Sequence, residues 1–218
     1  MNKRLAPCIA ALAALFLFGC GERPQPAAPE VPSPDPVAEA PSPGGVMFDI
    51  EGDDVFKVVL EAEEGEIEAP MGIYGDATPP PGEEGPTGAS GGRYVETPEV
   101  DPETGQKVER NEGSTTLAFT VPETGNYYVW LRVWWRHSCA NSFSVVMEGM
   151  GPHIVSDNTV GTWRWLAVGP SVFRPAPIRL EAGEHAIQVF TREDGSVLDQ
   201  VLIVDDPEYA PTGIEKAD

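Results

Sequence analysis

Residues 126–136, with the sequence NYYVWLRVWWR, decide the fold class of this 218-residue chain. Successive side chains of a strand point to opposite faces of a sheet. One face of this stretch therefore carries Tyr127, Val129, Leu131, Val133 and Trp135, and the other carries Tyr128, Trp130, Arg132, Trp134 and Arg136. Because both faces bear large side chains, the pattern predicts a central strand that is covered on both sides.

Eight further segments have the same character: they are short, rich in β-branched and aromatic residues, and bounded by Gly, Pro, Asn or Asp. They are residues 56–63, 93–97, 115–121, 142–148, 163–168, 177–181, 185–192 and 198–204. About nine antiparallel strands within residues 46–210 predict an all-β protein, a jelly-roll β-sandwich, with a closed barrel as the alternative. Two stretches rich in Gly, Pro and Glu, residues 72–92 and 98–113, are expected to be mobile surface loops.

The N-terminus has the pattern of an export signal. Lys3 and Arg4 precede an apolar run, residues 9–18, that is too short to span a bilayer and that leads to Cys20. The ending LFGC resembles the lipobox of bacterial lipoproteins, which implies a signal peptide of residues 1–19 and lipidation of Cys20. An ordinary secretory signal with a chance cysteine is the alternative, and both export the protein.

The segments beside the folded region are assigned from composition. Residues 20–45 are rich in Pro, Ala, Glu and Ser and predict a stiff, disordered spacer, and residues 211–218 are expected to form a tail. Gly21 follows the cysteine in place of the aspartate that is often linked to inner-membrane retention. The expected location is therefore the cell envelope, lipid-anchored at the outer membrane.

Charge and cysteine content narrow the classes of partner. The formal net charge is −21, and it becomes −23 once Lys3 and Arg4 leave with the signal peptide. Nucleic acid is excluded as a partner because phosphate binding needs clustered cations. Cys8 also leaves with the signal peptide and Cys20 is expected to be lipidated, so Cys139 stands alone and no intramolecular disulfide is expected.

No catalytic arrangement emerges from the sequence. The three histidines, His137, His153 and His185, are not accompanied by a Gly-x-Ser-x-Gly elbow or by the cysteine pairs of a structural zinc site. The glycine-rich stretch 88–92 precedes a strand, where no helix N-terminus assists phosphate binding. We therefore expect a protein that is not an enzyme.

An ordered series of motifs carries a family resemblance across about residues 55–210. The series is LEAE at 60–63, ASGGRYV at 89–95, FTVPETGNY at 119–127, RV at 132–133, NSF at 141–143, WRW at 163–165, LEAGEH at 180–185, REDG at 192–195 and LD at 198–199. In this order it resembles carbohydrate-binding modules of families 6 and 35, which are jelly-roll domains. The resemblance implies a non-catalytic domain that binds a poly- or oligosaccharide.

The resemblance also implies a structural Ca²⁺ ion between the first and last strands. Glu61 and Glu63 lie two residues apart in a predicted strand and so should point to the same side, where a hard cation would separate their charges. Asp199 matches the aspartate of the family near the last strand and is the expected third carboxylate. The alternative is that all three are solvated carboxylates of an acidic protein.

For the sugar site, the resemblance implies two aromatic rings at the loop end of the sandwich. Tyr94 matches the first ring and Trp163 the second, with Trp165 as a neighbour; packing of these rings into the core is the alternative. The asparagine of the family is replaced by Val197. Polar contacts are then expected from groups nearby, namely Arg136, Asn141, Glu193 or Asp194.

Two functions follow from this pattern. The first is a carbohydrate-binding lipoprotein with an exposed aromatic patch near Tyr94 and Trp163. The second is a structural or adhesion lipoprotein that docks another envelope protein, with those rings buried and no sugar bound.

Overall fold

The computed structural model describes residues 55–101, 103–108 and 112–216, and these fold into a two-sheet antiparallel β-sandwich. The twelve strands are β1 (Lys57–Glu61), β2 (Glu66–Glu68), β3 (Gly72–Gly75), β4 (Arg93–Glu96), β5 (Ser114–Val121), β6 (Gly125–Trp135), β7 (Ser142–Met147), β8 (Met150–Ser156), β9 (Arg164–Ala167), β10 (Ile178–Leu180), β11 (Gly183–Thr191) and β12 (Ser196–Val204). Two short 3-10 turns occupy Ala62–Glu64 and Ser90–Gly92. The predicted all-β sandwich is confirmed.

The strands divide into a seven-stranded and a five-stranded sheet. The large sheet has the order β10-β6-β12-β4-β3, with β1 also paired to β12 and β9 also paired to β6; the small sheet has the order β2-β5-β11-β7-β8. Strand β6 is central, as predicted, since it pairs with β9, β10 and β12. The expected signal peptide, spacer and lipidation site at Cys20 lie outside the described residues.

The main core lies between the two sheets. The first face of β6 points into it, and all five of its predicted residues, from Tyr127 to Trp135, are buried there. Trp135 meets Phe143 of the small sheet with ring centroids 5.5 Å apart. Burial of this apolar area, at about 25 cal/mol per Å², is the principal stabilising contribution to the fold.

All nine predicted strands are present, and three more were missed. The missed strands are β2 with the sequence EIE, β3 with GIYG and β8 with MGPHIVS. Each is acidic or interrupted by Gly and Pro, which are rare in strands, so their pairing depends on neighbours that local sequence does not reveal. Strand β3 lies within residues 72–92, which were expected to be only a loop.

Residues 205–216 are part of the folded unit and lie on the outer face of the large sheet. Gln200 of β12 donates to Glu215 O (2.9 Å) and accepts from Glu215 N (3.1 Å). The Gly213 carbonyl accepts hydrogen bonds from Arg132 Nε (2.8 Å) and Trp165 Nε1 (3.0 Å). The tail expected from residue 211 onward is thus ordered against the sheet as far as residue 216.

Candidate functional site

Four aromatic side chains gather on the outer face of the large sheet. They are Tyr74, Tyr94, Trp134 and Trp163, packed with Ala89 and Val197, and we call this set the outer aromatic cluster. Tyr94 lies at its centre, with ring centroids 6.4 Å from both Tyr74 and Trp163. The strand register brings the group together, because Tyr74 pairs with Tyr94 and Val197 pairs with Trp134.

Tyr94 is fully buried, at 0% exposure, while the other three rings of the cluster are half-buried. The expectation of an exposed ring at Tyr94 is therefore wrong in this conformation. The cause is the 76–88 segment, which approaches the ring closely: a Cβ atom on Gly85 would stand 2.5 Å from the Tyr94 hydroxyl. Burial, with the charge of Glu96 adding to it, raises the pKa of Tyr94.

Trp163 and Trp165 both lie on the outer face but in different surroundings. Trp163 donates from Nε1 to Thr87 O (2.9 Å), and the Arg132 guanidinium lies 4.7 Å from its ring centroid. Trp165 packs instead with Trp130 in a second apolar cluster. Only Trp163 adjoins Tyr94, so the structure does not bring Trp165 into the outer aromatic cluster.

A buried ion pair separates these two clusters. Arg132 of β6 donates to Asp199 of β12, and both side chains are nearly inaccessible to solvent. The second Asp199 oxygen accepts from Ser90 N (2.8 Å). Burial raises the pKa of Asp199 to about 6, although Arg132 opposes the shift. Asp199, expected as a calcium ligand, therefore has both oxygens engaged by protein groups.

A second arginine, Arg136, lies four residues after Arg132, directly after the end of β6. Arg136 Nη2 lies 2.5 Å from Glu96 Oε1 and 2.8 Å from Glu83 Oε2, and Nη1 donates to the Glu84 carbonyl. Burial raises the pKa of Glu96 to about 8. Glu96 is therefore mostly protonated at neutral pH, which leaves Glu83 as the charged partner of Arg136.

Asn141 and Glu193 meet at one end of the sandwich, as part of a hydrogen-bond network between loops. Glu193 Oε2 accepts from Asn141 N (3.2 Å) and Ser142 Oγ (2.7 Å), and Asn141 Nδ2 donates to Asp157 O (2.7 Å). Both residues thus brace the loops. A polar cavity of about 500 Å³ lined by Glu193, Asp194 and Arg192 adjoins them.

Glu61 and Glu63 are close, but for a different reason than predicted. Strand β1 ends at Glu61, and Glu63 lies in the 3-10 turn that follows. Glu61 Oε1 accepts from Ser90 Oγ (2.8 Å) and Gln200 Nε2 (2.9 Å), whereas Glu61 Oε2 and Glu63 Oε2 are buried without a hydrogen-bond partner. Burial raises the pKa of Glu63, and the charge of Glu61 adds to the effect.

Two features are absent from the described residues: a group of side chains that could hold a metal ion, and a helix that could cross a membrane. Across residues 55–101, 103–108 and 112–216, no group of three or more His, Cys, Asp or Glu side chains is arranged to hold a metal ion. In the same residues, none of the helical segments has the length and hydropathy needed to cross a membrane.

The sequence analysis missed Tyr74, Trp134, Arg132, Glu96 and Glu83 as members of this site. The alternation along β6 already placed Trp134 and Arg132 on one face with Arg136, and this signal could have found them. Tyr74 lay in a stretch read as a loop. The contact of Glu83 with Arg136 joins residues 53 positions apart, so no local pattern could reveal it.

Comparisons with known proteins concern the fold. No protein-family model matches the sequence, and no curated protein matches it. A family 35 carbohydrate-binding module from Clostridium thermocellum matches over 68% of this chain and 97% of its own, at 16% identity and a TM-score of 0.46.

Two further structures extend this similarity. The C-terminal family 6 module of LamC, from Zobellia galactanivorans, matches over 68% of this chain and 98% of its own, at 18% identity and a TM-score of 0.43. A β-(1,4)-mannanase from Podospora anserina, containing a family 35 module, matches over 73% of this chain, at 16% identity and a TM-score of 0.49. This chain spans 30% of the length of the mannanase.

Proposed function

We propose that this protein is a non-catalytic carbohydrate-binding module that uses the outer aromatic cluster to bind a poly- or oligosaccharide. The observation that carries the proposal is the set of three half-buried rings, Tyr74, Trp134 and Trp163, around the buried Tyr94 on an outward sheet face. Aromatic rings bind sugars by covering their apolar faces while nearby polar groups meet the hydroxyls. Arg136, which lies 5.5 Å from the centroid of the Trp134 ring, supplies such a group.

Glycan-array binding of the purified chain tests this proposal. We expect saturable binding to at least one glycan class, weakened at least about tenfold by Trp163→Ala and by Trp134→Ala, because each removes a stacking surface worth roughly 1.4 kcal/mol or more. Phe173→Ala is the matched control, since this ring is 76% exposed and lies in the β9–β10 loop outside the cluster. Equal binding by all folded variants would refute the assignment to this face.

A second candidate is a scaffold that docks another envelope protein. The burial of Tyr94 favours it, as does Val197, which lies at 0% exposure where the family pattern has a polar residue. In that case no glycan binds the wild type, and crosslinking of the chain in its native envelope identifies a protein partner. The two candidates therefore give opposite results on the array.

We also propose that Ca²⁺ stabilises the fold through Glu61 and Glu63. The two buried carboxylate oxygens without partners, Glu61 Oε2 and Glu63 Oε2, fit a hard cation that takes oxygen ligands. Asp199 is left out of this set because Ser90 and Arg132 engage it. The ion would offset the repulsion between the two glutamates and would take no part in chemistry.

Thermal melting with and without a chelator tests the calcium proposal. An ion that binds only the folded state at a hundredfold excess over its Kd adds about 2.7 kcal/mol of stability. We expect chelation to lower the Tm of the wild type and of Glu64→Gln, an exposed neighbour, but not that of Glu63→Gln. A wild-type Tm that changes neither with chelator nor with added Ca²⁺ would contradict the calcium proposal.

We propose further that the chain is a lipoprotein anchored through Cys20 at the outer membrane. The motif LFGC at residues 17–20 and the Pro-rich stretch 20–45 support this. Metabolic labelling with a palmitate analogue should mark the wild type and leave Cys20→Ala unlabelled. Membrane fractionation of the labelled protein would then identify its membrane, and label retained by Cys20→Ala would contradict the anchor.

A further inference from the structure

The 76–88 segment forms a loop whose two ends meet at one carboxylate. Asp76 accepts hydrogen bonds from Gly88 N (2.8 Å) and Ala89 N (3.4 Å), and Asp76 N donates to Gly92 O (3.1 Å). Loops with converging ends can move as units about a narrow base. The base of this segment adjoins the outer aromatic cluster through Ala89.

The body of the segment covers the centre of the cluster. Gly85 lies so near the Tyr94 hydroxyl that any larger residue would clash, and Trp163 Nε1 donates to Thr87 O. Arg132 Nη2 also donates to Gly88 O, at 3.3 Å. Tyr94, which the family resemblance predicts to bind sugar, is thus covered by the 76–88 segment.

The tip of the segment is held by few contacts. Arg136 contacts both the Glu83 carboxylate and the Glu84 carbonyl, and Glu99 N donates to Glu83 Oε1 (3.3 Å). The Glu83 and Arg136 side chains are largely buried in the closed form, but opening the segment returns both charges to water, so only the net strength of these contacts opposes it. An open form can therefore be populated.

The surface under the segment contains buried polar atoms without partners. They are the Tyr94 hydroxyl, Glu96 Oε2 and Arg136 Nε, and both Tyr94 and Glu96 are at 0% exposure. Leaving a buried polar atom unpaired is unfavourable, so the closed form carries a penalty that an occupying ligand could remove. Sugar hydroxyls donate and accept hydrogen bonds and are suited to pairing with a phenol and a carboxyl group.

We propose that the 76–88 segment is a lid that opens about the Asp76–Gly88 base, and that the open form binds sugar hydroxyls through the Tyr94 hydroxyl and the Glu96 carboxyl group. This inference rests on the proposed carbohydrate binding for its ligand but not for the motion. Closing the lid withdraws Tyr94 from solvent and lowers the apparent affinity by the fraction of molecules that are open.

Two lid-opening variants of the full chain test the motion. Asp76→Ala removes the base contacts, and a second variant replaces residues 78–87 by two glycines. Asp101→Ala is the matched control, because Asp101 likewise accepts from two backbone amides, Glu103 N and Thr104 N, in another loop. Nitration of Tyr94 by tetranitromethane, located by mass spectrometry, reports exposure of this ring without any ligand.

We expect Tyr94 to nitrate slowly in wild type and Asp101→Ala and at least about fivefold faster in both lid variants. Binding of the glycan found on the array should tighten by a similar factor, and Tyr94→Phe or Glu96→Gln in the lid-deleted chain should weaken it. Unchanged nitration, or faster nitration with unchanged or weaker glycan binding, overturns the inference. Faster nitration with no glycan bound by any variant instead refutes the proposed function and leaves the motion established.

Discussion

Two arginines, Arg132 in β6 and Arg136 directly after it, each contact a buried carboxyl group, and the two contacts are supported differently. Arg132 pairs with Asp199 and lies over Trp163, and Arg136 pairs with Glu96 and lies near Trp134. Each arginine reaches a carboxylate on the neighbouring part of the sheet. The shared pattern follows from their spacing, because residues four apart in a strand point to the same side.

The surroundings of the two pairs differ in how completely their polar atoms are satisfied. Main-chain groups complete the first pair: Gly213 O and Gly88 O accept from Arg132, and Ser90 N donates to Asp199. The second pair leaves Glu96 Oε2 and Arg136 Nε unpaired. We call the Arg132–Asp199 pair the framework pair, because main-chain groups satisfy its polar atoms. Arg136 is also bound by Glu83 of the 76–88 segment, and this contact is lost when the segment moves.

The largest expected effect is the loss of the framework pair. Arg132→Met should lower the free energy of unfolding by about 3–5 kcal/mol, because Asp199 remains at 0% exposure without its counter-charge. Denaturant unfolding at pH 7 measures the change. The double variant Arg132→Met with Asp199→Leu is the control and should recover most of the loss, since no buried charge remains. A loss below about 1 kcal/mol would show that the two arginine pairs do not differ in this way.

Truncation after Ala210 should have the next largest effect. Removing residues 211–218 takes the partners of Arg132 Nε, Trp165 Nε1 and the Gln200 amide. We expect a loss of roughly 2–4 kcal/mol, because each of these three hydrogen bonds contributes about 0.5–1.5 kcal/mol net. A chain ending at Lys216 is the control and should match the wild type in denaturant unfolding. Unchanged stability of the shorter chain would show that residues 211–216 do not stabilise the Arg132–Asp199 pair.

Strand β6, which carries Arg132, was more predictable from the sequence than the 76–88 segment. Alternation along β6 predicted a central strand, its two faces and the inward set of apolar residues, because a strand with two large faces must be covered twice. Asp199 was predicted as a calcium ligand, whereas in the structure it is buried and paired with Arg132. The Arg132 contact was not anticipated, because it depends on the register of β6 against β12.

The packing of the 76–88 segment over Tyr94 could not be predicted from the sequence, because this segment has little regular structure. Gly and Pro between residues 79 and 88 indicated only a loop, and a loop pattern carries no information about what it covers. Tyr94 was expected to be exposed because its position in the motif series resembles a sugar-binding ring. Its burial arises from the 76–88 segment, in which Gly85 lies against the Tyr94 hydroxyl.

A pH titration of stability should separate the two carboxyl groups. The pKa of Glu96 is raised to about 8 in the folded state from an ordinary value of 4.5, so the folded chain binds more protons than the unfolded chain between these values. The stability contributed by this proton is complete below pH 4.5 and is lost as the pH rises through 8. We expect a fall of a few kcal/mol between pH 5 and 9, since each unit of the pKa shift corresponds to about 1.4 kcal/mol.

Glu96→Gln should flatten that fall above pH 7, because an amide stays neutral. The remaining fall should centre near pH 6, where Asp199, whose pKa is also raised, loses its proton. Glu99→Gln, an exposed acid that contacts His137, is the control and should keep the wild-type profile above pH 7. Parallel profiles for Glu96→Gln and the wild type between pH 7 and 9 would contradict the assignment.

The smallest expected effect on stability belongs to the contact that holds the tip of the 76–88 segment. Glu83→Ala removes the charged partner of Arg136 and should cost only about 1 kcal/mol, because Glu96 Oε1 stays 2.5 Å from Arg136 and Glu96 can ionise in place of Glu83. Glu84→Ala is the matched control: it removes the same charge from the next residue, whose side chain is exposed. The two variants should unfold at nearly the same denaturant concentration but differ in nitration of Tyr94, which only Glu83→Ala should accelerate. If Glu83→Ala instead costs as much as Arg132→Met, the Arg136 pair belongs to the framework too, and the 76–88 segment is a fixed cover over the outer aromatic cluster.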